Sequence, residues 1–222
     1  MDRKQKKIVI GRRIAQILDD GNFVNLGIGI PTEVINHIPK NIKIHIHSEN
    51  GIIGAGRTPE EGKEDPNLIN AGGQFITEKI GASYFDSVTS FAIIRGGHLD
   101  ATVLGALQVD QKGNLANWMI PGKLTPGMGG AMDLVTGAKN VIIATEHCDK
   151  YGNSKIVEKC NLPLTGANIV NIIVTELALM QVTKDGLLLK EISDITTIDE
   201  VVEKTDADLI IADKVEKFST KI

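Results

Sequence analysis

Phe23-Val24-Asn25-Leu26-Gly27-Ile28-Gly29-Ile30-Pro31 is the stretch on which the fold turns. Phe23 to Ile28 reads as a buried strand, because it is a short apolar run that ends in the punctuation Gly27-Ile28-Gly29. Pro31 has a fixed φ and no N–H to lose, so it suits the first turn of a helix expected to run through His37. Strand, tight turn and helix in that order open an α/β fold. Working outward, Ile42 to His47 alternates strictly, with Ile42, Ile44 and Ile46 on one face and Lys43, His45 and His47 on the other, as in a half-buried strand. Further strands are expected at Phe91–Ile94, Ala101–Leu107, Val141–Thr145, Asn171–Thr175, Ala178–Thr183, Leu187–Ile192 and Leu209–Ala212. Upstream, Ile10, Ile14, Ile17 and Leu18 recur at helical period until Asp19-Asp20-Gly21, and a second helix opens near Thr197 and covers Asp199–Lys204. No repeat of 20–50 residues and no Pro- or Ser-rich linker divides the chain. The expected fold class is α/β: a single domain over residues 1–222, with an open, mostly parallel twisted sheet flanked by helices.

Composition removes several function classes. In 222 residues, 42% are hydrophobic and 23% charged, which is enough to bury a core and rules out a disordered or fibrous chain. Lys+Arg 24 against Asp+Glu 28 gives a net charge of -4, the wrong sign for a protein that holds a phosphate backbone, so nucleic acid is not an expected partner. No apolar run nears the roughly 20 residues of a membrane helix, so no membrane association is expected. The two cysteines, Cys148 and Cys160, lack CxxC spacing and point to a reducing compartment, taken as the cytoplasm. Arg3, Lys4, Lys6, Lys7, Arg12 and Arg13 form the solvated face of the first helix; no small-residue cleavage site follows them.

Gly27-x-Gly29 after a strand, with Glu49 twenty residues on, imitates a dinucleotide fingerprint. Thr32 stands where the third glycine belongs, and Pro31 removes an amide, so nicotinamide binding is not expected. Lys123 follows a single Pro-Gly pair and makes no P-loop. His45, His47 and Glu49 share parity on one strand, but no fourth ligand has a recognisable spacing and no metal is expected. His147 and Cys148 are adjacent, so on an extended strand they point oppositely and make a poor nucleophile pair. Two segments are stronger. Pro121 to Leu134 is dense in glycine, and the bare backbone at Gly127, Gly129 and Gly130, ahead of a helix, can form a nest of N–H donors for a developing oxyanion; a plain connector is the alternative. Ser48-Glu49-Asn50-Gly51 sets a carboxylate at the carboxyl end of a strand, where ligands bind in open α/β sheets, although an ordinary exposed acid fits the same pattern.

Six ordered blocks then carry a resemblance: Val24–Pro31, Ser48–Gly51, Ile94–His98, Leu104–Asp110, Ala116–Lys123 and Gly127–Leu134. Together, from about Ile10 to about Leu189, they resemble the beta (B) subunit of the family I 3-oxoacid CoA-transferases, including the butyrate/acetate:acetoacetate type. The resemblance implies ping-pong transfer of coenzyme A between a short-chain acyl-CoA and a 3-oxoacid such as acetoacetate, through a glutamyl-CoA thioester. Glu49 matches the nucleophile and Gly130 the glycine whose amide faces the oxyanion. Asn25 matches a residue beside the small acyl group, Asn50 and Gly51 frame the nucleophile, and Gly129 belongs with the coenzyme A contacts. Coenzyme A enters as a co-substrate, with no permanently bound cofactor. The resemblance also implies a partner, the alpha (A) subunit of the CoA-transferase, in a hetero-oligomer of A2B2 type. Gly73 stands where some relatives carry a lysine near coenzyme A, a departure at that contact.

Two other functions fit an α/β chain of this kind: a non-catalytic sugar-phosphate or effector-binding domain, and an acyl-CoA hydrolase. The first calls for Lys/Arg clusters near glycine turns, which the sequence lacks; the second differs only in whether water reaches the intermediate. The preferred acid does not follow from the sequence, since the candidates differ by a few methylenes or one carboxylate.

Overall fold

The computed structural model describes residues 1–122 and 127–221. The chain runs through α1 (Arg3–Ala15), β1 (Phe23–Leu26), a 3-10 helix (Pro31–Asn36), β2 (His45–Ser48), β3 (Ile52–Ala55), β4 (Glu78–Tyr84), α2 (Ser87–Arg95), β5 (Ala101–Leu104), β6 (Gln108–Asp110) and β7 (Leu115–Ala116). It continues through α3 (Ala131–Gly137), β8 (Val141–Ala144), β9 (Ile156–Val157), β10 (Ile172–Val174), β11 (Ala178–Thr183), β12 (Gly186–Ser193), α4 (Ile198–Glu203) and β13 (Leu209–Phe218). Ten strands form one sheet in the order β13-β12-β11-β10-β8-β5-β1-β2-β3-β4, and β7-β6-β9 form a small second sheet. The five central strands, β10-β8-β5-β1-β2, are all parallel, and β12 pairs parallel with β13. Hairpins attach the outer antiparallel strands.

Central parallel strands are covered on both faces, so their sequences read as continuous apolar runs. Val141-Ile142-Ile143-Ala144 is buried at every position and sends alternate residues to two cores. Val141 and Ile143 join Ile94, Leu134, Val135 and Val201 of α2, α3 and α4 on one face. Ile142 and Ala144 join Ile10 and Ile14 of α1 and Val34 of the 3-10 helix on the other. Burial of each such Ile or Leu contributes about 1.5–3 kcal/mol. α1 begins with a capping box, Asp2 Oδ1 accepting from Gln5 N–H at 2.8 Å and Gln5 Oε1 from Asp2 N–H at 3.0 Å. It is tied to distant chain by Lys6 to Glu176 at 2.8 Å, by the Arg13–Glu191 fork at 2.5 and 2.7 Å, and by Arg12 donating to the carbonyls of Ser219 and Lys221.

Several expected boundaries move. Phe91–Ile94 is helical, inside α2, because Asp86 caps the helix five residues upstream by accepting from Thr89 N–H at 2.7 Å. Ala101–Leu107 is two pieces: β5 stops at Leu104, and Gln108 starts a strand of the other sheet. The first strand ends at Leu26, before the glycines, and Pro31 opens a 3-10 rather than an α-helix. The strand expected over Ile42–His47 begins only at His45 and continues to Ser48, and His47 on its supposedly solvated face is 1% exposed because α2 lies over it.

The order of strands reverses at β1, with β2 on one side and β5, β8 and β10 on the other. In a parallel sheet the connections leave in opposite directions from such a point, and a crevice opens at the carboxyl ends of the strands. Leu26-Gly27 ends β1, Ser48-Glu49 ends β2 and Leu104-Gly105 ends β5 at this one place.

Candidate active site

A cleft of about 480 Å³ occupies that crevice, lined by Gly27, Glu49, Gly105, Trp118, Gly129 and Gly130 among others. Among the described residues that line it, Glu49 carries the only charge. Lys123 to Pro126 of the glycine-dense segment lie outside the described residues.

Glu49 is the first residue after β2, on the turn into β3. Gly51 makes that turn possible: its φ is +124°, its N–H donates to Ser48 O at 3.0 Å, and its carbonyl accepts from Phe85 N–H at 3.0 Å. A Cβ at this position would lie 2.1 Å from Phe85 O, so only glycine fits. Asn50 points away, donating to Ile69 O at 2.7 Å, while Ser48 Oγ accepts from Ala71 N–H at 2.9 Å. Asn50 and Ser48 therefore tether the loop around Asn70, and Gly51 holds the backbone. Neither Asn50 nor Gly51 lines the cleft. Gly73, with φ +75°, lies on the same tethered loop, and Ala71 lines the cleft.

Across the cleft, Gly130 is the N-cap of α3, with φ -81°. A Cβ built there would lie 3.6 Å from Glu49 Cγ and 3.2 Å from the Phe91 ring, so the glycine turn and the carboxylate are in direct contact range. Gly129 (φ +51°) and Gly127 (φ +90°) precede it in conformations that L side chains disfavour. α3 packs on α2 through Ile94, Leu134 and Val135, with Asp133 and Arg95 paired at 2.7 Å beside them.

Behind Glu49, three buried polar side chains stand side by side on adjacent parallel strands. Asn25 is in register with His47 on one side and Thr102 on the other, and all three are 0–1% exposed. Asn25 Nδ2 donates to Glu49 Oε2 at 3.0 Å. Burial lowers the His47 imidazole to about 4, so it is neutral. The sequence pattern gave no sign that His47 is buried; it shares parity with His45, which is exposed and stacks on Phe23 at 4.8 Å between ring centroids. Among the described residues no three His, Cys, Asp or Glu side chains are grouped to hold a metal ion.

The His147–Cys148 pair is not arranged as a nucleophile and its base. His147 Nδ1 and Nε2 lie 3.0 Å from the hydroxyls of Thr175 and Thr205, and burial lowers its imidazole to about 4. Burial raises the Cys148 thiol, and burial with Asp110 nearby pushes Cys160 up to about 12, so neither is an activated thiolate. Asn117 and Trp118 also line the cleft, anchored by Asn117 Nδ2 to Gly105 O at 3.2 Å and Trp118 Nε1 to Leu164 O at 3.4 Å. Both belong to the Ala116–Lys123 block of the resemblance without being among the expected site residues, since nothing in their spacing marks a wall built beside a different sheet. Among the described residues no helix is long and apolar enough to cross a membrane.

Residues 8–204 match the coenzyme A transferase family. The beta subunit of acetate CoA-transferase from Haemophilus influenzae is 56% identical over 207 residues, covering 93% of this chain and 92% of that protein. The B subunit of a probable succinyl-CoA:3-ketoacid coenzyme A transferase from Bacillus subtilis is 50% identical over 215 residues, 97% of this chain and 99% of that one. Among solved structures, an acyl-CoA transferase of Escherichia coli O157:H7 superposes with a TM-score of 0.76 at 20% identity, over 99% of this chain but only 44% of that longer one.

Proposed function

The chain belongs to the coenzyme A transferase family, as the beta subunit of a two-subunit enzyme, and on that premise we propose that Glu49 is the nucleophile that carries coenzyme A between two acids. Coenzyme A is the co-substrate of the family, and the relatives' substrates suggest a short-chain acyl-CoA and a 3-oxoacid here.

The chemistry follows from the cleft. Asn25 holds Oε2, leaving Oε1 as the carboxylate oxygen without a hydrogen bond among the described residues. That oxygen attacks the thioester carbonyl, whose π electrons move onto the oxygen to give a tetrahedral oxyanion. The collapse breaks the C–S bond, releasing the thiolate of coenzyme A and leaving an acyl-glutamyl anhydride. The thiolate then attacks the glutamyl carbonyl and expels the first acid as its carboxylate, leaving a glutamyl-CoA thioester. The acceptor carboxylate runs the same steps backwards. No proton is gained or lost at any stage, so the site needs no general base, in keeping with a cleft in which Glu49 is the only charge among the described lining residues. Gly130 supplies an amide for the oxyanions, and Gly129 and Gly127 let the backbone approach. Asn25 is fully buried and absent from the cleft lining, so it holds Glu49 and does not adjoin the acyl group as the resemblance implies; Asn50 and Gly51 fix the turn, and Gly129 contacts coenzyme A.

The observation that carries this reading is the 3.6 Å approach of Glu49 Cγ to the Gly130 Cβ position. A phosphate-binding module has no use for a lone carboxylate against a glycine turn. Residues 1–222 form one B-type domain that pairs with the alpha (A) subunit in the cytoplasm, giving an A2B2 hetero-oligomer. The test is to incubate the assembled enzyme with acetoacetyl-CoA and no acceptor acid, then digest it. Coenzyme A bound as a thioester to the peptide containing Ser48-Glu49-Asn50-Gly51, and absent from Glu49→Ala, is expected. An adduct on another residue, or hydrolysis without an adduct, overturns it.

A further inference from the structure

The polar row behind Glu49 is more than a buried trio. Asn25 Nδ2 lies 3.3 Å from His47 Nδ1 as well as 3.0 Å from Glu49 Oε2, and His47 Nε2 lies 3.0 Å from Ser90 Oγ on α2. Thr102 Oγ1 stands 3.5 Å from Asn25 Oδ1 on the opposite side. A carboxylate only accepts, so the amide nitrogen of Asn25 must face Glu49. The other amide hydrogen then meets His47 Nδ1 at 3.3 Å, with the His47 carbonyl at 3.4 Å as a longer second acceptor; Nδ1 accepts only in the tautomer that carries its proton on Nε2. That proton goes to Ser90 Oγ. The direction of every bond is thus set from the carboxylate outward: Glu49 fixes the face of Asn25, the Asn25 amide sets the tautomer of His47, and His47 donates to Ser90 Oγ, so that His47 and Ser90 brace the amide that holds Glu49. A turned Asn25 would set its oxygen against the carboxylate.

We propose that His47 and Ser90 are positioning residues for Glu49, acting through Asn25 to aim its carboxylate into the cleft. The inference rests on Glu49 as the nucleophile. His47 is 1% exposed and Ser90 0%, so neither touches substrate, and their effect falls on the rate of attack rather than on binding. Burial keeps His47 neutral, the form the arrangement requires.

The test measures single-turnover formation of the glutamyl-CoA adduct from acetoacetyl-CoA in the enzyme assembled with its companion subunit. His47→Leu removes the ring acceptor for Asn25, leaving only the longer bond to the backbone carbonyl of that residue, and should slow adduct formation by about 10²-fold, with the half-saturating acetoacetyl-CoA concentration unchanged. His47→Asn restores an acceptor where Nδ1 was and should recover most of the rate. Ser90→Ala, too small a change to prevent folding, should slow the step by about fivefold, the effect of one neutral hydrogen bond. The inference is overturned by wild-type rates in His47→Leu, by equal impairment in the Leu and Asn variants, or by a shift in half-saturation alone. If His47→Leu does not assemble, an unslowed Ser90→Ala overturns it. A wild-type enzyme without an adduct on Glu49 overturns the nucleophile assignment as well, whereas a wild-type adduct with an unslowed His47→Leu overturns only the positioning.

Discussion

Gly51→Ala should unfold the turn that carries the nucleophile, and the size of the effect can be built from its parts. Holding an L residue at φ +124° costs about 1–3 kcal/mol. The new Cβ would lie 2.1 Å from Phe85 O, well inside van der Waals contact, so the segment entering α2 has to retreat by about 1 Å. That retreat stretches the 3.0 Å bond from Phe85 N–H to Gly51 O, which contributes about 1 kcal/mol. The sum is a loss of about 2–4 kcal/mol, a large share of the roughly 5–15 kcal/mol by which domains are stable. Urea unfolding of the variant beside the wild type measures it. Gly130→Ala is the control: φ is -81°, which any residue adopts, and its Cβ would meet the end of the Phe91 ring at 3.2 Å and Glu49 Cγ at 3.6 Å. It should stay within about 1 kcal/mol of wild type while transfer slows, because the methyl crowds the carboxylate. A Gly51→Ala chain as stable as wild type would refute the claim that this turn admits only glycine.

Other perturbations separate chemistry from folding. Gly130→Pro fits a φ of -81° and deletes the N–H, so turnover should fall by about 10²–10³-fold in a soluble, assembled enzyme; near wild-type kinetics would make the glycine turn a connector. Glu49→Asp keeps the charge but withdraws the oxygens by one methylene, and initial rates should drop about 10²-fold or more, where a merely ion-pairing acid would tolerate the change. His47 and His147 are kept neutral by burial with pKa lowered to about 4, so the unfolded chain takes up protons first as pH falls below about 6.5. Each should lower unfolding free energy by about 2 kcal/mol by pH 5 and about 3 by pH 4, with the loss ending there; a urea midpoint flat from pH 7 to 5 contradicts the burial argument. The chain assayed without its companion subunit should show little transferase activity, and full turnover alone would sink the hetero-oligomeric reading.

What could be read from the sequence follows where one local rule acts. Pro31 after a glycine turn and the cap Thr197 before Ile198–Glu203 depend on neighbours within a few residues, and both lie where those rules put them. Phe91–Ile94 is the opposite case: four apolar residues suit a strand or a buried helix equally, and the deciding signal, Asp86, lies upstream of the run. The strands β3 and β4 escaped because a register shift between Ile53 and Ala55 breaks their pairing, and the sheet β7-β6-β9 because its strands are only two or three residues long. At the site, Glu49 and Gly130 are 81 residues apart in sequence, and only the resemblance joined them before the fold set one against the other. His47 was legible as a strand residue but not as a buried one, since alternation describes a strand and not what covers it.

The ties of α1 bear on biosynthesis. Arg13 waits for Glu191, 178 residues later, and Arg12 for the carbonyl of Lys221, 209 residues later. At about 5–20 residues per second, the ribosome leaves that helix without its ion-pair partners for about 10–40 s. For most of that interval Ile10 and Ile14 lack part of their core, which includes Val174 of β10 and Leu179 of β11. The apolar stripe of α1 thus cannot be fully covered until β11 has been made, and its Arg12 and Arg13 ties close only after that.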